Sequence, residues 1–506
     1  MARSRRTWRH LLPAIATAVL VTLTAAAPAS AGGQHGSAKL RKAVTVSGVV
    51  DHLKALQRIA DRNDDTRASG TPGYDQSAAY AERIFRRAGY RVTTQEFPFQ
   101  SFRSNAPAVL QRVSPTPTTD LVTDVLTYSG SAAVTAPASV PTGSALGCAA
   151  TDFGAANAGT IVLVSRGACT FAVKATNALA AGAAAVVIYN NVPGPLGGTL
   201  GNLFTANIAV VGVTQALGQE LVAQVAAGLT LRVVTDTTRT MSTTRNVFAE
   251  SRWGDPDTVV MAGAHLDSVP AGPGINDNGS GVATLLEVAE QLRRRTPNKV
   301  RFALWGAEEA SLVGSTHYIA NLPAAERDRI ALHLNFDMVG SPNYVRFVYD
   351  GDNSAFPVGA GSAAGPAGSG AIEGLFHDYF ADRGLASAET PFSGRSDYGP
   401  FIAAGVDIPS GGLFTGAEGV KTEAEAAVYG GTAGQAYDPC YHQACDTIDN
   451  VNRRAIDEMS DAVAHAIWTY ANDVSSLTAP AAPATGTTAP ARGGGGLHDD
   501  GHDAPM

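Results

Sequence analysis

Apolar residues recur at helical spacing over 49–60 and again over 74–88, where Tyr74, Ala78, Ala81, Ile84, Phe85 and Ala88 share one face and Gly89 follows where a C-terminal cap belongs. The pattern predicts two amphipathic helices leading into a strand at about 91–99. From about 103 to 240 charges thin out, Ala, Gly, Thr and Pro accumulate, and short apolar runs at 160–164 and 184–189 read as strands. That stretch reads as a separate module. Past 245 the pattern becomes strand 259–264, helix 280–294, strand 300–305, helix 311–320 and strand 330–336. Such alternation predicts an α/β fold on a doubly wound mixed sheet.

The two ends of the chain read differently. Arg3, Arg5, Arg6 and Arg9 precede an apolar run from Leu11 to Ala27, and Ala29-Ser30-Ala31 offers a small-x-small cleavage site. Residues 1–31 are therefore expected to be a cleaved signal peptide, and the mature chain a soluble extracellular protein without a membrane anchor. After about Thr478 the chain is rich in Pro, Ala, Thr and Gly, and the tail 478–506 is expected to be disordered.

The 506 residues carry 37 basic and 45 acidic side chains, a formal charge of −8 that becomes −12 once the four leader arginines are removed. That balance disfavours nucleic acid as a partner. About 475 mature residues exceed what a single hydrophobic core usually supports, so at least two folding units are expected. Four cysteines in an oxidising compartment imply two disulfides with three possible pairings. Cys440 with Cys445 and Cys148 with Cys169 would keep each bridge within one region.

The chemistry is carried by five fragments that fall where strands give way to loops. In an open α/β sheet these transitions gather at the carboxyl ends of the strands, where ligands bind. His265 ends one strand in Ala264-His265-Leu266-Asp267, with Asp267 placed to accept from the imidazole N–H and fix its tautomer. Asp277 sits among glycines just ahead of a helix, a position that read alone would be a cap. Glu308 and Glu309 close the strand ending at Trp305, and adjacent carboxylates are costly unless a cation is near. Asp337 closes another strand, and His442 lies in Cys440-Tyr441-His442-Gln443-Ala444-Cys445. Each fragment alone has an ordinary structural explanation. Together, two imidazoles with three or four carboxylates on one sheet edge suit two divalent ions of zinc type.

These segments resemble the double-zinc aminopeptidases secreted by bacteria and fungi, in the wider metallopeptidase family that includes glutamate carboxypeptidase and the transferrin receptor. The resemblance covers 48–100 and 245–475. It implies that His265 and Asp337 complete one zinc site, Glu309 and His442 the other, and that Asp277 bridges them. It further implies Glu308 as general base, Tyr441 as donor to the developing oxyanion, and Arg395 in Gly394-Arg395-Ser396-Asp397 as a substrate-orienting residue. Residues 120–238 resemble an inserted protease-associated domain acting as lid or as passive decoration, flanked by a peptidase domain in two parts, 40–119 and 245–475. The expected substrates are peptide or protein N-termini, with large apolar residues such as Leu at the first position. A monomer is expected, and calcium is left open.

The same scaffold could serve a carboxypeptidase, since the metal motifs do not say which peptide end enters, or a binding protein like the transferrin receptor. A carboxypeptidase would want arginine clusters, and only Arg395 is well placed. A receptor would have lost its ligands, whereas every position here is metal-competent. Gly-x-Ser-x-Gly and His-Glu-x-x-His are both missing, which argues against a serine hydrolase and the single-zinc proteases.

Overall fold

The computed structural model describes residues 31–359 and 361–478. The expected leader, all but its last residue, and the expected tail beyond Thr478 lie outside them. Among the described residues no helix is long and apolar enough to cross a membrane.

Four parallel strands form the heart of the peptidase sheet, in the order Ser410–Phe414, Ile330–Phe336, Asp255–His265, Asn298–Trp305. They read as near-continuous apolar runs because helices cover both faces. Antiparallel neighbours flank them: Thr230–Glu250 beside Asn298–Trp305, and Phe347–Tyr349 beside Ser410–Phe414. The sheet is therefore mixed, as expected. The register pairs Trp305 with His265, so the loops that follow these strands leave from one edge at one level.

The helix Gly279–Gln291 is buried along nearly its whole length, between the sheet and the helices Val46–Ala60, Pro72–Ala88 and Arg453–Asn472. It ends at Gln291, three residues before the expected 294, ahead of a basic run that solvates more readily than it packs. Asn278 caps its start by accepting from the Gly281 N–H at 3.0 Å. The helix Pro72–Ala88 ends on Gly89 in the left-handed conformation at φ 95°, the cap its periodicity implies. The helix expected from 311 begins at Val313, after Ser311 and Leu312 adopt positive φ.

The strand expected over 91–99 runs instead from Arg91 to Ser114. It pairs antiparallel with Thr230–Glu250 from Arg91 opposite Glu250 to Ser114 opposite Thr230, interrupted by bulges between Ser104 and Val109. Its polar middle carries no alternation, so periodicity could not follow it; the partner strand's hydrogen bonds hold it extended. The near half of this ribbon packs into the peptidase through Phe97, Phe99, Val247 and Ala249. The far half buries Leu110, Leu231 and Val233 in the module, whose strands Ile161–Ser165, Ala185–Tyr189 and Ala209–Val213 are parallel. Cys148–Cys169 closes within the module and Cys440–Cys445 within the peptidase.

Candidate metal centre

His265 is the last residue of its strand and is 1% exposed. Its Nδ1 lies 3.1 Å from the Asp267 backbone carbonyl, and a carbonyl can only accept, so Nδ1 holds the proton and Nε2 presents its lone pair. The tautomer is thus set by Asp267, but not through the carboxylate expected from sequence, whose nearer oxygen is 3.8 Å away. That carboxylate instead accepts from the Glu308 N–H at 3.2 Å. The chain's turn after His265 brings the carbonyl to the ring first.

Nε2 of His265 faces Asp277 Oδ1 at 3.1 Å and Asp337 Oδ1 at 3.2 Å. Nε2 of His442 faces the other Asp277 oxygen at 3.2 Å and Glu309 Oε2 at 3.1 Å. One carboxylate is thereby shared between two triads, His265/Asp277/Asp337 and Asp277/Glu309/His442. Donors about 2.0–2.1 Å from a tetrahedral zinc lie about 3.3–3.4 Å from one another, close to the 3.1–3.2 Å that separates each imidazole from its two carboxylates. A further donor atom, Glu309 Oε1, is buried without a hydrogen-bond partner. The imidazole and carboxylate donors present therefore fit zinc-type ions.

The carboxylates dominate the electrostatics and call for positive charge at the site. Burial alone would depress both imidazoles, but the carboxylates around them, Asp337 and Glu308 at His265 and Glu309 and Asp277 at His442, hold them well above the usual histidine value. Burial alone would raise Asp277, and its bonds to the two imidazoles pull it far below the usual carboxylate range. Glu308 is pushed well up, first by burial and then by Glu309, Asp397 and Asp337. Its Oε2 stands 4.0 Å from His265 Nε2, beside the triads and outside their hydrogen-bonded set.

Tyr441 stacks on His442 with centroids 3.8 Å apart. Its hydroxyl accepts from Arg395 Nη2 at 3.3 Å, leaving its own proton to donate, and burial keeps that proton on. Arg395 also binds Glu418 Oε1 at 2.7 Å. These groups share one cavity with the triads, walled by Leu312, Met338, Tyr349, Pro391 and Phe414. None of the residues lining this cavity comes from 120–238.

Four residues in this neighbourhood escaped the sequence reading. Ser396 donates to Asp337 Oδ2 at 2.6 Å, and Glu418 pairs with Arg395. Asp446 accepts the backbone N–H groups of Asn276 and Asp277 at 2.8 and 2.9 Å. Arg67 is a wholly buried guanidinium against the loop between His265 and Asp277. Ser396 lies inside one motif already singled out and Asp446 directly follows another, which was the one available signal; nothing near Arg67 marks it.

An open α/β sheet with two histidine–carboxylate triads sharing an aspartate at its strand ends defines a metallohydrolase. Residues 246–467 match the model of peptidase family M28, and residues 132–221 that of the PA domain. The chain is 46% identical over 441 residues to an aminopeptidase of Pseudomonas aeruginosa, spanning 84% of this chain and 81% of that protein. It is 40% identical over 452 residues to leucine aminopeptidase 2 of Trichophyton rubrum, with 88% of each covered. Among solved structures, an aminopeptidase from Aneurinibacillus sp. strain AM-1 superposes with a TM-score of 0.69 at 28% identity, covering 85% of this chain and 95% of that one. A zinc aminopeptidase from Bacillus subtilis gives 0.59 at 26% identity, covering 84% and 95%. The chain belongs to peptidase family M28.

Proposed function

We propose that this protein is an exported zinc aminopeptidase that holds two zinc ions and removes single residues, preferably large and apolar, from the amino termini of peptides. The observation that carries the reading is Asp277, whose two oxygens each face a different imidazole, with Glu308 lining the same cavity. His265, Asp277 and Asp337 would hold one ion, and Asp277, Glu309 and His442 the other. When bound, the pair supplies an acidified water and positive charge for the scissile carbonyl.

Glu308 takes the proton of the attacking water and returns it to the departing amine, a task suited to a carboxylate whose proton affinity burial has raised. Tyr441 donates to the carbonyl oxygen as charge develops there. The wall formed by Met338, Tyr349, Pro391 and Phe414 receives an apolar first side chain. Leucine aminopeptidase relatives support that preference.

Arg395 bears on which end of the peptide enters. Its charge is already matched by Glu418, and it supports the Tyr441 hydroxyl, so it does not stand ready to grip a substrate's terminal carboxylate. This favours the amino terminus. The protease-associated module, which contributes no wall to the cavity, is read as an access element for longer substrates. Export and a monomeric state are part of the same proposal.

The decisive experiment is a metal count beside an assay of leucyl anilides with free and blocked amino termini. Two zinc ions per chain and cleavage of the free form alone are expected. Indifference to blocking would sink the aminopeptidase assignment, and no turnover of either with both ions bound would favour a receptor-like role.

A further inference from the structure

Arg67 lies in the connection between the helices Val46–Ala60 and Pro72–Ala88 and is 0% exposed, an uncommon place for a guanidinium unless each nitrogen is hydrogen-bonded. Nε donates to the Pro273 carbonyl at 2.7 Å, Nη1 to Leu266 and Nη2 to Gly274. Its backbone N–H donates to Ser268 Oγ at 3.0 Å, and that hydroxyl reaches the Gly272 carbonyl at 2.9 Å. All of these partners lie in one segment, the loop that leaves His265 and returns to Asp277. The packing leaves no slack: Gly274 has φ 58°, and a Cβ there would sit 2.3 Å from the Asp277 carbonyl oxygen and 3.2 Å from Arg67 Nη2.

Asp446 holds the same segment from its other side. Oδ1 accepts the Asn276 N–H at 2.8 Å, Oδ2 the Asp277 N–H at 2.9 Å, and its backbone carbonyl the Ile275 N–H at 3.0 Å. Asp446 directly follows Cys445, whose disulfide to Cys440 closes the loop bearing His442. One partner therefore takes the segment's carbonyls and the other its amides, and between them they join the loops of three metal-facing residues.

We propose that Arg67 and Asp446 work as a single clamp that sets the spacing of His265, Asp277 and His442, making them positioning residues for the metal pair. The inference rests on the metal-site reading above. Its physical basis is that a shared carboxylate must offer one oxygen to each side; a small rotation of the Asp277 backbone would move both oxygens at once and spoil both triads. Arginine suits the role because its planar fork donates in several fixed directions, whereas a lysine ammonium is a compact point charge. Supporting contacts of this kind typically change metal affinity about 10–100-fold.

The test uses the full chain as Arg67→Lys, Arg67→Met, Asp446→Asn and the Arg67→Lys/Asp446→Asn double variant. Zinc affinity is read in zinc-buffered solutions, kcat and KM on a leucyl anilide, and melting temperature in chelator. Each single change is expected to weaken zinc binding about 10–100-fold and to lower kcat while KM stays close to wild type. Lysine should recover part of the melting temperature lost in Arg67→Met without recovering zinc affinity. The double variant should lose less than the product of the single losses, since either change already opens the clamp.

A lowered melting temperature with wild-type zinc affinity and kcat would overturn the proposal, as would full recovery by lysine or strictly multiplicative losses. Should Arg67→Met fail to fold, Arg67→Lys and Asp446→Asn carry the decision. A wild-type chain that binds no zinc would strike the functional reading itself, a result distinct from any of these.

Discussion

Ser396 donates its hydroxyl proton to one oxygen of Asp337 at 2.6 Å, while the other oxygen of that carboxylate faces His265 at 3.2 Å. Asn335 in turn donates to Ser396 Oγ at 2.8 Å, so the serine is oriented from behind. Ser396→Ala would leave Asp337 to swing about its side-chain torsions. It should weaken zinc binding by about tenfold or more with little loss of fold, read by zinc-buffered titration alongside circular dichroism.

Glu308 and Glu309 are adjacent in sequence, and the proposed mechanism gives them different tasks. Glu308→Gln should nearly abolish turnover while both zinc ions remain, because it removes a proton acceptor and leaves Asp277 facing both imidazoles. Metal analysis of the purified variant checks this, and loss of an ion would mean that the two roles are exchanged.

His442→Ala should cost about one zinc ion per chain together with activity, since His442 belongs to one triad and not to the other. Two ions retained at full occupancy would remove His442 from the ligand set.

The protease-associated module can be cut where the long ribbon is irregular, between Ser104 and Thr237, and replaced by a Gly/Ser linker. Small anilides should keep their rates, because no residue of 120–238 lines the cavity. Longer peptides should lose kcat/KM if remote contacts supply binding energy used at the reacting centre. Equal effects on both would refute an access role.

Burial first, and then Asp352, pushes the Glu373 carboxyl up to about 8. The folded chain therefore binds this proton more tightly than the unfolded one. The associated stability is fully present below the ordinary glutamate value and is lost as pH rises through about 8. Glu373→Gln, whose amide oxygen can still accept from the Gly351 N–H, should flatten the fall in melting temperature from the ordinary glutamate value up to about pH 8 relative to wild type. An unchanged slope would show that Glu373 does not carry it.

The sequence by itself determined the architecture and the donor types. Parallel strands covered on both sides must be apolar along their length, so their ends show as abrupt changes to glycine, acid and histidine. His265, Asp277, Glu308, Glu309, Asp337 and His442 all fall at such changes or in a disulfide-closed loop. What only the tertiary structure decided is how those side chains are held. Arg67 reaches carbonyls some 200 positions away, Asp446 reaches amides 169 and 170 positions away, and Ser396 reaches Asp337 across 59. Hydrogen bonding of this kind leaves no local period to read. The same holds for Asp267: which of its oxygens meets the His265 ring depends on the path of the backbone after the strand, and here the carbonyl arrives first.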